Sequence, residues 1–371
     1  MLKLLASLSK LFSESSTPYL DYRIAENLFC KYYSAINDAR SCTAYDARLG
    51  KLGIGIKTFG INKGYSLEKI AEFNRLKPNL DPLKGKDLAK QLAIFRNDRI
   101  EVANNTYDVE DSIYHIVGRS NGALKIFNTE YKLIDINDIH DIKDSTTSIS
   151  FVSGDSFYNF NKSKSVLMKR FILPNSHKTI PVEILSDPLQ LLSELLQKED
   201  KADITDFTER KVFKGADYVI LPLYSTRGHE MQVPEKSGLN QWNARGRKRD
   251  ENEVYIPIPI EIHKKYPDFF PGRETPFELI LPNGKSLSAK ICQANGKALM
   301  SNPNSALGEW ILRKVLRKKP GELVTMNDLA KYGIDSVRIE KKHRKNENEE
   351  DVFEISFTTT EYESYNEFIN E

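Results

Sequence analysis

The sequence predicts two blocks of different class, an α+β block over residues 1–212 and a mainly-β block over residues 213–371. Three observations carry this. The first block mixes segments of helical spacing with short runs rich in β-branched and aromatic residues. The second consists almost wholly of such runs. Between them KEDKADITDFTERKVFKG, beginning at Lys198, is polar, charged and broken by residues that disfavour helix, and the strand-like DYVILPLY follows it at once.

Length and composition agree with this division. A chain of 371 residues can bury two ordinary cores, and 40% hydrophobic with 29% charged residues describes a globular protein. Net charge is +2, so affinity for a polyanion has to come from local clusters such as Arg245–Arg249 and Arg313–Lys319. Cys30, Cys42 and Cys292 are scattered and odd in number, which gives no zinc spacing and no disulfide framework. The opening MLKLLASLSKLF has an apolar-basic helical pattern but is too short to span a bilayer, and no small-residue cleavage site follows it. A cytoplasmic protein is expected.

In the first block a helix is predicted over Asp21 to Ala35, with Ile24, Leu28 and Tyr32 at helical spacing. TAYDARLGKLGIGIKTF follows as two extended segments about a turn at Gly50. Further helices are predicted at Ser66 to Asn74 and Leu83 to Arg96. SIYHIVGR, ALKIFNT, YKLIDI, SISFVS and SFYNFN then read as strands, and Leu189 to Gln197 as a closing helix. Arg96, Arg99, Lys162, Lys164, Lys169 and Arg170 form basic clusters among aromatics, for which a solvated face is the ordinary fate.

In the second block EVYIPIPIEI, FELILP, SLSAKICQ, SVRIEKK and VFEISFTT read as strands, with Pro257, Pro259 and Pro282 marking edges, bulges or ends. LPNGK at Leu281 to Lys285 is a turn between strands. A helix over Leu307 to Leu316 ends in the basic run Arg313–Lys319, which suits the negative end of its dipole. A small, partly open barrel with one or two helices is expected.

The stretch KSGLNQWNARGRKRDENEVYIPIP, from Lys236 to Pro259, puts arginines, amides and acids on one loop before a strand. Arg can bond guanine O6 and N7 in parallel, Asn or Gln can do the same to adenine, and Asp or Glu can accept from cytosine. A second stretch, KALMSNPN, sets Ser301, Asn302 and Asn304 around the stiffening Pro303. Base-reading candidates are Gln241, Asn243, Arg245, Arg247, Asp250, Asn252, Glu253, Ser301, Asn302 and Asn304. Lys236, Lys248, Arg249 and Lys297 are phosphate candidates. Trp242 is expected to pack beneath the loop.

These two stretches, with YPDFFPGR, LPNGKSLSAKICQANGKALMSNPNSALGEWILR and DLAKYGIDSVRIEK in that order, resemble the B3-like DNA-recognition domain of some type II restriction endonucleases. That resemblance, covering about Asp217 to Lys342, implies a pseudobarrel whose two arms enter the major groove of double-stranded DNA. The first arm would be Gln241 to Glu253 and the second Lys297 to Asn304.

A DNA reader raises the question of cleavage. In YDARLGKLGIGIKTF the turn at Gly50 brings Asp46 beside the strand carrying Lys57. This looks like the PD-(D/E)xK nuclease core, a mixed α/β fold in which the acids bind Mg2+ and the Lys orients the attacking water. Two positions before Lys57, where that core has Asp or Glu, stands Gly55. Glu26 on the preceding helix is the best substitute metal ligand beside Asp46, and Gln91 the weaker one. His115 in SIYHIVGR lacks a lysine at the third position, which is Val117, and this disfavours phospholipase D-like chemistry.

The resemblances together imply a site-specific type II endodeoxyribonuclease using Mg2+, with Asp46, Lys57 and Glu26 catalytic and a possible homodimer on DNA. The alternative is a non-catalytic DNA-binding regulator or targeting protein with an N-terminal interaction domain, and Gly55 favours it. A nuclease with a different site is a third reading.

Overall fold

The computed structural model describes residues 1–38, 44–198, 217–225 and 231–360. These divide into two compact units, residues 1–38, 44–97 and 109–198 in one, residues 98–108, 217–225 and 231–360 in the other. The charged separator after Lys198, together with Cys42 and His229, lies outside the described residues. Among the described residues no helix is long and apolar enough to cross a membrane.

In the first unit α1 (Leu2–Ser7) precedes α2 (Tyr22–Tyr33). Asp21 starts α2 by accepting the Arg23 N–H at 2.9 Å, and Ser34 ends it in the left-handed region. Its buried face carries Ala25, Glu26 and Cys30, whereas Tyr32 is exposed, so the inward stripe lies elsewhere than Ile24–Leu28–Tyr32 suggests. Next come β1 (Ile36–Asn37), β2 (Ala47–Leu49), β3 (Leu52–Gly60) and β4 (Tyr65–Glu72). The β2–β3 hairpin turns through Gly50 at φ +59°, as the sequence predicts.

After α3 (Lys77–Leu80) and the long α4 (Gly85–Tyr107) the chain runs through β5 (Asp111–Ser120), β6 (Ala123–Glu130), β7 (Ile139–Asp144), β8 (Ser148–Ser153) and β9 (Ser156–Asn161). It closes with β10 (Val166–Ile172), β11 (Lys178–Pro181) and α5 (Pro188–Lys198). Two sheets result, ordered β1-β2-β3-β5-β6-β11 and β4-β10-β9-β8-β7. β3 lies parallel to β5, with α4 in the crossover between them.

Two expectations fail here. Ser66 to Asn74 is not a helix: most of it is β4, paired along its length with β10, and tertiary pairing overrides the helix propensity of its Leu, Glu, Lys and Ala residues. YKLIDI is not a strand. The Asn97 amide takes both backbone groups of Ile134, its Nδ2 donating to the carbonyl and its Oδ1 accepting the N–H, each at 2.8 Å. The strand appears later, as β7.

The second unit has β12 (Tyr218–Pro222), a 3-10 turn over Gly238–Asn243, β13 (Ile256–Pro257), α6 (Ile260–Lys265), β14 (Pro276–Ile280), β15 (Ser286–Cys292) and β16 (Ala298–Ser301). Then follow α7 (Ala306–Gly308), which continues as a π-helical stretch Glu309–Val315, α8 (Met326–Tyr332), β17 (Ser336–Lys345) and β18 (Asp351–Thr358). The sheet order is β12-β17-β18-β14-β15-β16-β13, and it curls into a half-barrel around Leu221, Ile256, Phe277, Ile311 and Phe353. EVYIPIPIEI is thus not one strand. Only Ile256–Pro257 pairs, because Pro257 and Pro259 cannot donate to a ladder, and the chain turns into α6.

One buried amide holds the start of the first arm. Asn240, fully buried, donates to the carbonyls of Pro234 and Val324 at 3.1 and 2.9 Å and accepts the Val324 N–H at 2.9 Å. Asn240→Ala leaves the buried Val324 N–H and carbonyl and the half-buried Pro234 carbonyl without this partner and is expected to lower stability by about 2–4 kcal/mol in urea unfolding, with the slope unchanged.

Candidate active site and nucleic-acid interface

In the first unit the hairpin brings Asp46 against β3. Its N–H bonds the Ile54 carbonyl and its carboxylate accepts the Ile56 N–H at 2.7 Å. Burial raises the Asp46 carboxyl above its ordinary range, and the Lys57 charge and the Ile56 N–H oppose that rise. Glu26 on α2 is 5% exposed. Burial first, and then the Asp46 carboxylate, push its pKa up to about 7, with Arg23 and Lys57 pulling the other way. Asp46, Glu26 and Lys57 therefore share one electrostatic neighbourhood, two acids repelling each other beside a cation. Gln91 is half-buried on α4.

An acid at position 55 does not fit. A Cβ on Gly55 would lie 2.8 Å from a Tyr131 ring atom and 2.9 Å from a Tyr114 ring atom, and one on Gly53 2.7 Å from the Tyr45 ring. Tyr114 and Tyr131 stack with centroids 4.1 Å apart, and the Tyr131 hydroxyl bonds the Ala44 carbonyl at 2.6 Å.

The described residues hold no group of three or more His, Cys, Asp or Glu side chains disposed to bind a metal ion. Two carboxylates remain a suitable donor set for Mg2+, which keeps several waters and takes one or two carboxylates plus substrate phosphates. The mutual repulsion of Glu26 and Asp46 is what a divalent cation would relieve.

Neighbouring groups here were hidden in the sequence. Burial raises the Glu68 carboxyl, and the Ser66 hydroxyl and the Lys57 charge offset it. Reading this segment as a helix concealed the strand β4 that carries Glu68. Arg96 is not solvated but 3% exposed. It donates to the Tyr114 hydroxyl at 2.9 Å and lies over the Tyr131 ring. Lys169, near the Tyr114 ring, falls to a pKa of about 8 through burial and the Arg96 charge.

In the second unit several base-reading candidates hold the first arm in shape. Glu253, 4% exposed, accepts from Arg247 Nη2 at 2.6 Å and pairs with Arg249 at 3.3 Å. Arg249, expected on phosphates, turns inward and donates to the Ala244 carbonyl at 2.8 Å. The Asp250 carboxylate accepts the Asn252 N–H at 2.8 Å, which closes a turn. Asn252 Oδ1 takes Arg313 Nε at 2.7 Å, while Arg313 also reaches the carbonyls of Glu251 and Lys318 at 2.7 and 2.9 Å. Gly308 admits this loop: a Cβ there would stand 1.8 Å from the Asn252 carbonyl oxygen.

Asn243 donates to the Glu235 carbonyl at 3.0 Å, Gln241 is half-buried, and Trp242 packs against the core. Ser301 is fully buried, its hydroxyl donating to the Pro303 carbonyl and accepting the Leu307 N–H, each at 2.8 Å, so it shapes the second loop from inside. Facing outward are Lys236, Arg245, Arg247, Lys248 and Asp250 near the first arm and Lys297, Asn302 and Asn304 on the second.

The Glu26 environment has a consequence for stability. Its folded pKa exceeds the unfolded value, so its contribution is fully present below about pH 4.5 and is lost as pH rises through 7. Without divalent metal, Glu26→Gln is expected to be more stable than the parent at pH 8, by about 1–2 kcal/mol, and equal to it near pH 4. Thermal unfolding at the two pH values checks this.

Residues 218–343 match the family model of the NgoFVII C-terminal B3-like DNA-binding domain, a domain type from restriction enzymes. No curated protein matches the chain. The match runs from β12 into β17 and spans Gln241 to Glu253 and Lys297 to Asn304, and it supports DNA binding by the second unit.

Proposed function

We propose that the chain is a site-specific endodeoxyribonuclease of the type II restriction class, which reads duplex DNA with its second unit and cleaves it with its first. The observation that carries the reading is the placement of Glu26, Asp46 and Lys57 in one neighbourhood within a chain whose residues 218–343 match a restriction-enzyme DNA-binding domain. Glu26 and Asp46 would hold Mg2+, which when bound supplies Lewis-acid polarisation of the scissile phosphate and a more acidic water. Lys57 would orient the attacking water and offset charge developing on the phosphate. The Ile56 N–H fixes the rotamer of Asp46, so that carboxylate is set before substrate arrives. Cutting both strands calls for two such sites, which favours a dimer on DNA.

In the arms, Arg245, Arg247, Asn302 and Asn304 are the side chains best exposed for base edges, and Lys236, Lys248 and Lys297 for phosphates. Glu253, Arg249 and Ser301 serve those readers by holding the loops. A second reading, a DNA-binding regulator without cleavage, is favoured by the tyrosine rings that exclude an acid at Gly55.

With mixed-sequence plasmid and Mg2+, discrete fragments are expected from the parent and none from Asp46→Asn or Lys57→Ala, with DNA binding retained in both. No cutting by a parent protein that binds a specific sequence sinks the nuclease reading in favour of the regulator, and cutting that survives both changes points to another site. Within the arms, Arg245→Ala is expected to cost about 1–3 kcal/mol on the preferred sequence and little elsewhere. Lys248→Ala should weaken all duplexes alike and reduce the slope of log K against log salt by about 0.9. Fluorescence anisotropy over a salt series separates the two.

A further inference from the structure

A cavity of about 80 Å3 lies at the N-terminal end of α4. Lys77, Lys84 and Lys162 line it, with Asp81 as its acid and Leu88 and Phe160 as apolar wall. Lys162 is engaged by Asp144 at 2.6 Å and by the Ser145 carbonyl at 2.7 Å, and Asp144 also accepts the Gly85 N–H at 2.8 Å. Among the described residues Lys77 and Lys84 have no ion-pair partner. The 23-residue α4 adds the positive end of its dipole.

A second feature points to a ligand. Ser165 lines the same cavity and is 1% exposed, and its buried hydroxyl has no hydrogen-bond partner among the described residues. A buried hydroxyl without a partner is costly and calls for a polar atom in the adjoining space. Lys77 and Lys84, against the single acid Asp81 in the lining, make an anion the ligand that the charge favours. A carboxylate has two oxygens, whereas a phosphate group can meet both lysines and the serine at once. The volume equals two or three waters at about 30 Å3 each, room for one phosphate group and too little for a nucleoside.

We infer that this cavity is a phosphate-binding subsite, with Lys77 and Lys84 supplying the charge and Ser165 a directed hydrogen bond. The phosphate comes from the backbone of bound DNA, which rests on the DNA-cleaving reading above, or from free phosphate or a phosphomonoester. Its recognition chemistry is the same in each case.

The test uses the full chain. Inorganic phosphate is titrated at fixed ionic strength against chloride while thermal unfolding is followed in the parent, Lys77→Ala/Lys84→Ala and Ser165→Ala. The parent is expected to gain stability with phosphate beyond any effect of chloride, the double variant to lose that gain, and Ser165→Ala to need roughly tenfold more phosphate. In phosphate-free buffer Ser165→Ala should be no less stable than the parent, since it removes an unsatisfied group. No phosphate-specific gain in the parent, or one that persists in the double variant, overturns the inference. A parallel titration with a 30-base-pair duplex identifies the source. Weaker DNA binding by the double variant, with a salt slope shallower by about one to two, marks a backbone phosphate. Unchanged DNA binding with the phosphate effect intact marks a free phosphate or phosphomonoester. Absence of plasmid cleavage would overturn the roles of Asp46 and Lys57 and leave the inorganic phosphate result standing.

Discussion

The tyrosine rings behind β3 set the terms for the first unit. Tyr45, Tyr114 and Tyr131 come so close to Gly53 and Gly55 that only hydrogen fits at those positions. The apolar residues Ile54 and Ile56 then occupy the opposite face of the strand, in the cluster with Ala25 and Cys30 of α2. That contact brings Glu26 toward Asp46, because Glu26 follows Ala25 on the same helix. On the proposed nuclease reading, the acid that aromatic packing excludes from the strand would be supplied by this helix. The cost is visible at Glu26, raised by burial first and by the Asp46 carboxylate second, while burial alone raises Asp46.

A second constraint governs the arm of the half-barrel. A loop carrying Arg245, Arg247, Lys248 and Arg249 within five residues would repel itself open, and the buried Glu253 carboxylate prevents this by taking two of the four. Arg313 grips the loop from the neighbouring helical segment through Asn252 and the Glu251 carbonyl. Charged groups removed from water in this way are costly unless fully paired. Here they fix which guanidinium faces outward.

The sequence made some of this legible and withheld the rest for identifiable reasons. The β2–β3 hairpin was readable because Gly50 interrupts two extended runs, and α2 because Ile24 and Leu28 recur at helical spacing, although Tyr32 of that series is exposed. Ser66 to Asn74 misled because its residues favour helix in isolation while β10 offers a ladder partner that local propensity does not encode. EVYIPIPIEI misled because alternating apolar residues suggest a strand, but two prolines remove the donors a strand needs. At the site, residue types were legible and their facing was not. Glu253, Arg249 and Ser301 have the chemistry of base or phosphate readers, yet ion pairs and hydrogen bonds within their own loops turn them inward. Arg96 looked solvated and is buried among tyrosines.

That distinction bears on how specificity arises in the arms. Base discrimination requires a side chain held in one geometry, and long arginine side chains lose about 2 kcal/mol of rotamer freedom on being fixed. A loop that braces its own guanidiniums before DNA arrives meets part of that cost in folding rather than in binding. Arg247 shows the arrangement: one nitrogen is tied to Glu253 while the side chain remains about half exposed. If the arms read DNA as proposed, changing Glu253 or Asn252 would shift the direction of several guanidiniums together, whereas changing an exposed residue such as Asn304 would alter a single contact.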